Sequence, residues 1–281
     1  MDVLTESVSS NFWLLAFLVT LTAFTAVWVA SVLTQDAGVV DFYWGPGFAV
    51  TAWLGIALAD NISLGTLVFV GAITVWAARL AAHLIIRHLA ATAEDGRYAA
   101  MRQAGGASFW WTSLFKIFVL QAIIHWLVQF PVIATLSGGG APGTPGSSGL
   151  GLGLWFWAGI AIFAIGFAIE AIADAQLARF KRDPANEGKL LERGLWGMSR
   201  HPNYVGEMIV WIGLSLAALA LTGSWLVWIG PIVLALAMFG VSLPLTDAHL
   251  RQTRADFDAY ATRVPATIPT RPKGGGSVPA E

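Results

Sequence analysis

The chain has 281 residues, of which 56% are hydrophobic and only 12% charged, and its formal net charge is −1. Because a soluble protein of this size covers itself with more polar surface, the composition indicates a membrane protein whose apolar surface is covered by the lipid bilayer. The near-neutral charge provides no basic field for nucleic acid, and the absence of Cys excludes disulfides and thiolate chemistry.

Seven apolar stretches follow one another along the chain, and a membrane-spanning helix needs about 20 mostly apolar residues. The stretches are residues 12–33, 44–58, 64–86, 109–136, 150–172, 205–221 and 225–245, and the second is short and contains Pro46. They predict an all-α, polytopic membrane protein with seven transmembrane helices. We expect a single catalytic domain over residues 1–264, followed by a flexible tail rich in Pro and Gly at 265–281.

The basic residues are distributed unevenly between the connections. All but two of the 16 Lys and Arg residues follow the third, fifth or seventh stretch, whereas residues 60–61, 137–149 and 222–224 contain none. Cytoplasmic connections retain Lys and Arg, so this pattern predicts an outside N-terminus and a cytoplasmic C-terminus. The expected location is the inner membrane of a bacterium or the endoplasmic reticulum of a eukaryote.

The third stretch carries ionisable residues at helical spacing. Arg79, His83 and Arg87 recur every four residues and therefore share one helix face that descends to the cytoplasmic end. Since a charged group inside a span costs about 2.5–3.5 kcal/mol on insertion scales, such groups indicate function by default. The face is suited to a polyanion. In the structural alternative, Arg87 extends to the interface and His83 is a hydrogen-bonded interior residue.

The fourth and fifth stretches show the same spacing with other polar residues. Gln121, His125 and Gln129 share a face, and interhelical hydrogen bonding explains the two glutamines. Glu170 and Asp174 lie on one face at the end of the fifth stretch. Two carboxylates there can bind a metal ion, accept hydrogen bonds from ribose hydroxyls, or form ion pairs with the arginines of the next connection.

The most specific segment is residues 193–207, which leads into the sixth stretch. His201-Pro202 suits a helix entrance, after which Asn203 and Glu207 share a helix face. An amide and a carboxylate in that position can bind a donor-rich group such as a carboxamide or a ribose. The polar residues of this segment and of the region beyond the seventh stretch are Arg193, Arg200, His201, Asn203, Tyr204, Glu207, His249 and Arg251.

Several nucleotide and metal motifs are absent from the sequence. No G-x-G-x-x-G lies between a strand and a helix, and neither G-x-x-x-x-G-K-[ST] nor H-E-x-x-H occurs. A nucleotide would therefore bind without a Rossmann domain, and we predict no metal site.

These segments together resemble bacterial membrane proteins of the steroid 5α-reductase superfamily over about residues 38–270. The resemblance rests on residues 194–207, preceded by Asp41-Phe42-Tyr43-Trp44-Gly45, Glu94-Asp95-Gly96-Arg97-Tyr98 and Asp174-Ala175-Gln176. Members are seven-helix membrane enzymes that use NADPH to reduce the carbon–carbon double bond of 3-oxo-Δ4 steroids. Sterol C14 and C7 reductases and isoprenylcysteine carboxyl methyltransferases are related branches.

The resemblance implies NADPH as the cofactor and an apolar steroid-like or lipid substrate that enters from the membrane. It implies arginines near the cofactor phosphates, since guanidinium groups are the usual partners of a 2′-phosphate. With the polar clusters above, the predicted cofactor site consists of Arg79, His83, Arg87, Asp95, Arg97, Glu170, Asp174, Arg193, Arg200, His201, Asn203, Tyr204, Glu207, His249 and Arg251.

The reaction that the resemblance implies is hydride transfer to the β-carbon of an enone while an acid polarises the ketone. Mammalian members use a Gln-Glu pair and a tyrosine on the next helix, but this chain has no such pair and no Tyr in the third stretch. Tyr98, Tyr43 and Asp41 are the available substitutes. The tyrosines are favoured, because a phenol hydrogen bond suits an enolate better than an ionised carboxylate does.

Two other functions remain open at this point. An S-adenosylmethionine-dependent methyltransferase of the isoprenylcysteine type shares the Arg-His-Pro-x-Tyr-x-Gly motif of residues 200–206 and the pattern of residues 260–265. Such enzymes place paired glutamates where this chain has Thr246-Asp247-Ala248-His249. A lipid or small-molecule transporter would also carry intramembrane polar residues, although usually near the midplane and in repeated halves.

Overall fold

The computed structural model of the protein describes residues 2–89, 96–137 and 153–268, without the side chains of residues 2–10 and of Arg97. Over these ranges the chain is helical and contains no strand. The α-helices are α1 Asp2–Thr34, α2 Val40–Leu58, α3 Leu64–Leu89, α4 Gly96–Gly105, α5 Phe109–Ser113, α6 Leu120–Val128, α7 Phe130–Leu136, α8 Leu154–Arg182, α9 Pro202–Thr222, α10 Ile229–Ala237, α11 Leu243–Thr253 and α12 Phe257–Arg263. The π-helical turns Leu114–Val119 and Met238–Ser242 connect α5 to α6 and α10 to α11.

Six helical segments of the described chain are long and apolar enough to cross a membrane. They are Asn11–Thr34, Leu64–Leu89, Tyr98–Val128, Leu154–Arg182, Pro202–Thr222 and Trp225–Thr253. A helix satisfies its own backbone hydrogen bonds, which lipid cannot do, so these segments suit a bilayer. The protein is an integral, multi-pass membrane protein, and the predicted all-α class is confirmed.

The predicted second span corresponds to α2, which differs from these six segments. α2 has 19 residues, begins four residues before the predicted span and continues through Pro46. A proline lacks the N–H that would donate to the preceding turn, yet the helix does not end there. α2 is not among the segments that qualify by length and apolar composition. The seventh crossing and the orientation of the termini therefore stay predictions.

Several helices end beyond the apolar stretches that predicted them. α8 continues to Arg182, ten residues past the predicted end, and the last long segment reaches Thr253 rather than residue 245. The predicted fourth span is divided at Gln129, whose ψ of 11° separates α6 from α7. Hydropathy identifies the lipid-facing part of a helix, and polar residues extend the same helix further.

The described residues belong to two compact units. The first is drawn from residues 1–160 and 214–233, and the second from residues 161–213 and 234–281. The predicted single domain over residues 1–264 stays a prediction. Residues 269–281, which include most of the predicted flexible tail, lie outside the described residues.

The core of the first unit is built from aromatic and aliphatic side chains of α1, α2 and the segments from α4 to α6. Phe24, Val40, Tyr98 and Phe118 are buried in one cluster. The turn before α2 is capped by Asp36, whose Oδ1 accepts from the backbone N of Gly38 at 2.7 Å. This packing places Tyr98 beside the first turn of α2.

In the second unit, α8 and α9 pack with their backbones in close contact. A Cβ atom added to Gly206 would lie 2.5 Å from the backbone N of Glu170, and one added to Gly166 would lie 2.5 Å from the backbone N of Val210. Small residues permit such close approach between membrane helices. The contact brings the carboxylate-bearing end of α8 next to the entrance segment of α9 at residues 201–207.

We expect Gly206→Ala to destabilise the protein, because the added methyl group meets backbone atoms of α8 that cannot rotate away. Overpacking of this kind costs about 1–3 kcal/mol. The control is Gly71→Ala in α3, where an added Cβ has no neighbour within 4 Å. Thermal unfolding of both variants in detergent measures the difference. Equal melting temperatures for the two variants would contradict the close contact between α8 and α9.

Candidate functional site

The first unit brings two of the predicted catalytic residues together. The hydroxyl of Tyr98 donates to Asp41 Oδ1 at 3.1 Å, and the Tyr98 side chain is only 5% exposed. The amide of Gln121 donates to the same hydroxyl at 3.5 Å. The guanidinium of Arg87 lies 3.7 Å from Asp41 Oδ2. A phenol is therefore held between a carboxylate and an amide, in an arrangement that can donate a hydrogen bond to a ligand oxygen.

Tyr43, the other predicted phenol, lies near this group but makes different contacts. Its ring stands perpendicular to that of Phe24 at 5.3 Å between centroids, and nearly parallel to that of His125 at 6.3 Å. These contacts make Tyr43 part of an aromatic wall of the first unit. Tyr98, rather than Tyr43, has the hydroxyl that is bonded to Asp41.

The polar face of α6 is used for contacts between helices, as predicted for the glutamines. Gln129 donates to Thr20 Oγ1 at 3.0 Å. His125 is fully buried, with Nε2 at 3.1 Å from the carbonyl oxygen of Trp44 and its ring stacked on Phe48 at 3.8 Å. Gln121 makes its contact with Tyr98 of α4. The sequence predicted an interhelical hydrogen bond for Gln121 but did not identify its partner.

The ionisable residues of α3 differ in exposure, and their predicted binding of a polyanion stays a prediction. Arg79 and His83 are half-buried, whereas Arg87 is exposed and pairs with Asp41. The neighbouring His88 lies 3.1 Å from Asp36, so the last turn of α3 contacts one carboxylate in the turn before α2 and another, that of Asp41, in the first turn of α2. Asp95 lies outside the described residues, and so does the side chain of Arg97.

The second unit contains a pocket of about 430 Å³ at the end of α8. Its lining residues are Gln176, Arg179, Phe180, Asp183, Asn186, Leu191, Arg193 and Gly194. Asp183 accepts from the backbone N of Ala185 at 2.9 Å, and Asn186 donates to the carbonyl of Phe180 at 3.0 Å. The sequence predicted Arg193 as a cofactor-binding residue, but it did not identify Arg179 as part of the site.

The two arginines of this pocket are available to a ligand. Neither Arg179 nor Arg193 has a hydrogen bond or an ion pair within the described part of the chain. Guanidinium groups bind phosphate and carboxylate oxygens through two parallel hydrogen bonds. The pocket is therefore suited to an anionic group, with Phe180 and Leu191 as its apolar walls.

Further polar residues of the second unit lie on α8 and at the start of α9. Glu170 and Asp174 are buried on α8, and Glu207 is half-buried on α9. Asn203 Oδ1 is buried and has no hydrogen-bond partner among the described residues. Since buried acceptors are usually satisfied, this atom is suited to a ligand donor such as the N–H of a carboxamide.

Arg200 and His201 are bound within the protein. Arg200 Nη2 donates to Asp247 Oδ2 at 2.7 Å, and His201 Nε2 donates to Asp247 Oδ1 at 2.7 Å. Tyr204 stacks on the His201 ring at 5.3 Å between centroids. Burial lowers the pKa of His201 from its ordinary value, against the opposite influence of Asp247, and so favours the neutral ring. Direct cofactor contacts of Arg200 and His201 stay predictions.

The remaining predicted residues lie on the last turns of α11. His249 is exposed, and Arg251 is exposed and donates to Asp258 Oδ1 at 2.8 Å. Asp247, which was not among the predicted site residues, is the partner of both Arg200 and His201. The available signal was the Arg-His pair itself, because a buried guanidinium requires a carboxylate.

The fold is that of an all-helical, multi-pass membrane protein. Its polar side chains cluster around Tyr98 in the first unit, and around the pocket and the start of α9 in the second. The chain belongs to the family described as "Protein of unknown function (DUF1295)", whose model matches residues 27–264. That family is related to the steroid 5α-reductase superfamily. No solved structure matches the chain.

Two curated relatives are similar to parts of the chain. An uncharacterized protein of Schizosaccharomyces pombe is 27% identical over 216 residues, which are 68% of this chain and 60% of that protein. A probable O-methyltransferase of Ustilaginoidea virens is 40% identical over 60 residues, which are 21% of each chain. The chain thus spans less than two thirds of the length of either relative.

Proposed function

We propose that the protein is an NADPH-dependent reductase of the carbon–carbon double bond of a 3-oxo-Δ4 steroid or a similar apolar enone that enters from the membrane. The observation that carries this proposal is the buried Tyr98 hydroxyl, which is hydrogen-bonded to Asp41. Reduction of an enone needs an acid at the ketone, because negative charge develops on that oxygen. Transfer of a methyl group to a carboxylate or hydroxyl has no such requirement.

Tyr98 is assigned the role of polarising the ketone. Bound NADPH would supply a hydride to the β-carbon, and with a proton at the α-carbon the double bond becomes a single bond and NADPH becomes NADP⁺. In the substrate complex, the ketone oxygen replaces Asp41 as the acceptor of the Tyr98 hydrogen bond. Gln121 donates to the same hydroxyl oxygen and keeps the phenol oriented. The hydrogen bond then stabilises the developing enolate.

The cofactor-binding role is assigned to residues of the second unit. Arg179 and Arg193 of the pocket are suited to a phosphate, since neither has a protein partner within the described residues. The unpartnered Asn203 Oδ1 is suited to an N–H donor, and the carboxylates of Asp174 and Glu207 are suited to ribose hydroxyls. The chemical groups of NADPH thus match the donors and acceptors that this unit offers.

We also propose seven membrane crossings with an outside N-terminus and a cytoplasmic C-terminus, in which α2 is the crossing beyond the six qualifying segments. The support is the sequence distribution of Lys and Arg, which leaves alternate connections without a basic residue. With this orientation, Arg87 and the arginines after α8 face the cytoplasm, where NADPH is available.

An S-adenosylmethionine-dependent methyltransferase is the second candidate. It is favoured by the identity of 40% over 60 residues with a protein named as a probable O-methyltransferase. Against it, the segment before α12 has Asp247 and His249 where enzymes of the isoprenylcysteine type have paired glutamates. The buried Tyr98 and Asp41 pair also has no evident use in a methyl transfer.

Nucleotide binding separates the two candidates. We expect NADPH to raise the melting temperature of the detergent-purified protein more than NADH does, because the 2′-phosphate meets Arg179 and Arg193. Arg193→Ala is expected to reduce the advantage of NADPH over NADH, whereas Arg182→Ala, an exposed arginine of α8 outside the pocket, leaves it unchanged. Stabilisation by S-adenosylmethionine alone would overturn the reductase proposal.

Tyr98→Phe tests the catalytic assignment. Removal of the hydroxyl is expected to lower turnover of a 4-en-3-one steroid by about 10²-fold or more, the usual contribution of a positioned acid, with little change in NADPH affinity. Tyr43→Phe is the matched comparison, because its hydroxyl is not the one bonded to Asp41. Full turnover in Tyr98→Phe together with loss in Tyr43→Phe would transfer the role to Tyr43.

A further inference from the structure

Asp247 is the centre of a buried charged group in the second unit. Each of its carboxylate oxygens accepts one hydrogen bond of 2.7 Å, from Arg200 Nη2 and from His201 Nε2. The side chains of Asp247, Arg200 and His201 are only 14%, 13% and 4% exposed. Loss of one partner from such a group leaves an uncompensated buried charge, so the arrangement is strongly determined.

The same group ties the segment after α11 to the loop before α9. Arg200 Nη1 donates to the carbonyl oxygens of Val264 at 2.8 Å and Ala261 at 3.3 Å, and its backbone N donates to Pro265 at 2.9 Å. Ser199 Oγ donates to the carbonyl of Ala266 at 3.1 Å. These bonds occupy Nη1 and the backbone N of Arg200, Nη2 is bonded to Asp247, and the buried Nε has no hydrogen-bond partner among the described residues.

The loop that is held in this way leads directly into the helix that carries the candidate ligand-binding residues. His201 precedes Pro202, the first residue of α9, and the carbonyl of His201 accepts from the backbone N of Val205 at 3.2 Å. Its ring stacks on Tyr204. Asn203, with its unpartnered buried oxygen, lies between His201 and Tyr204 in the same helix turn. His201 therefore contacts the first turn of α9 through both its carbonyl oxygen and its ring.

We propose that Asp247 is a positioning residue, which acts through Arg200 and His201 to fix the first turn of α9 before a ligand binds. Arg200 and His201 then serve the ligand indirectly, and Asn203 and Tyr204 contact it. A pre-oriented turn spares the ligand the ordering of these side chains, which improves affinity. The identity of that ligand as NADPH rests on the proposed function, whereas the positioning role rests on the contacts of Asp247.

Hydrogen exchange without ligand tests the positioning role. Asp247→Asn keeps the shape of the side chain but removes its charge. We expect faster exchange at the backbone N–H groups of Arg200 and Val205 and in residues 260–266, whereas the exchange rates in α3 stay unchanged. Asp258→Asn is the control, since Asp258 is a 73% exposed carboxylate that pairs with Arg251. Exchange in Asp247→Asn equal to that of the unaltered protein would overturn the proposal.

Binding and turnover then separate this proposal from the reductase assignment. In Asp247→Asn the dissociation constant of NADPH is expected to rise roughly 10- to 100-fold, because the ligand-binding side chains of α9 are no longer held in position. The kcat at saturating NADPH is expected to stay near that of the unaltered protein. Unchanged NADPH affinity alongside faster exchange would overturn the positioning of ligand-binding residues. If the unaltered protein binds S-adenosylmethionine and not NADPH, and Asp247→Asn weakens that binding, the positioning role stands and the reductase assignment fails.

A second variant covers the case in which Asp247→Asn does not fold. His201→Gln keeps the pair of Asp247 and Arg200 but removes the ring that stacks on Tyr204. We expect faster exchange at the backbone N–H of Val205 and weaker NADPH binding, with the backbone N–H of Arg200, which donates to Pro265, still protected. An exchange pattern and an affinity equal to those of the unaltered protein would overturn the link from His201 to the first turn of α9.

Discussion

Lipid offers no hydrogen bonds, and the helices and the paired polar groups of the described residues satisfy this constraint. The backbone satisfies it by remaining helical over the described residues, even through Pro46 in α2. Ionisable side chains satisfy it by pairing near helix ends, where Asp41 meets Arg87 and Tyr98, and Asp247 meets Arg200. The same pairing that makes these charges tolerable also orients them.

The two units carry different kinds of polar group. The first offers a phenol whose hydroxyl is bonded to Asp41 and Gln121, which is an acid suited to a ketone. The second offers a pocket with two arginines that have no partner among the described residues, and the buried oxygen of Asn203. A transporter explains neither the bonded phenol nor the arginine pocket. Membership of a family related to steroid 5α-reductases agrees with a reductase, without specifying its substrate.

Hydropathy predicted the membrane class and the location of six segments, because a long run of apolar residues typically forms a membrane-spanning helix. It failed at the C-terminal end of α8, where polar residues continue the helix to Arg182, and it did not predict the break at Gln129, which depends on local backbone geometry. The motif at residues 193–207 predicted the helix entrance at Pro202. Asp247 was missed because its bonds to Arg200 and His201 join residues far apart in the sequence, and no local pattern encodes such pairing.

Hydride transfer to an enone is tested most directly with NADPH that carries deuterium at both C4 positions of the nicotinamide. The purified protein in lipid nanodiscs is incubated with this cofactor and a 4-en-3-one steroid, and the product is analysed by mass spectrometry and NMR. The predicted product is the saturated ketone with one deuterium at the former β-carbon and a solvent proton at the α-carbon. Recovery of unreduced steroid, or of saturated product without deuterium at the β-carbon, would contradict the reductase assignment.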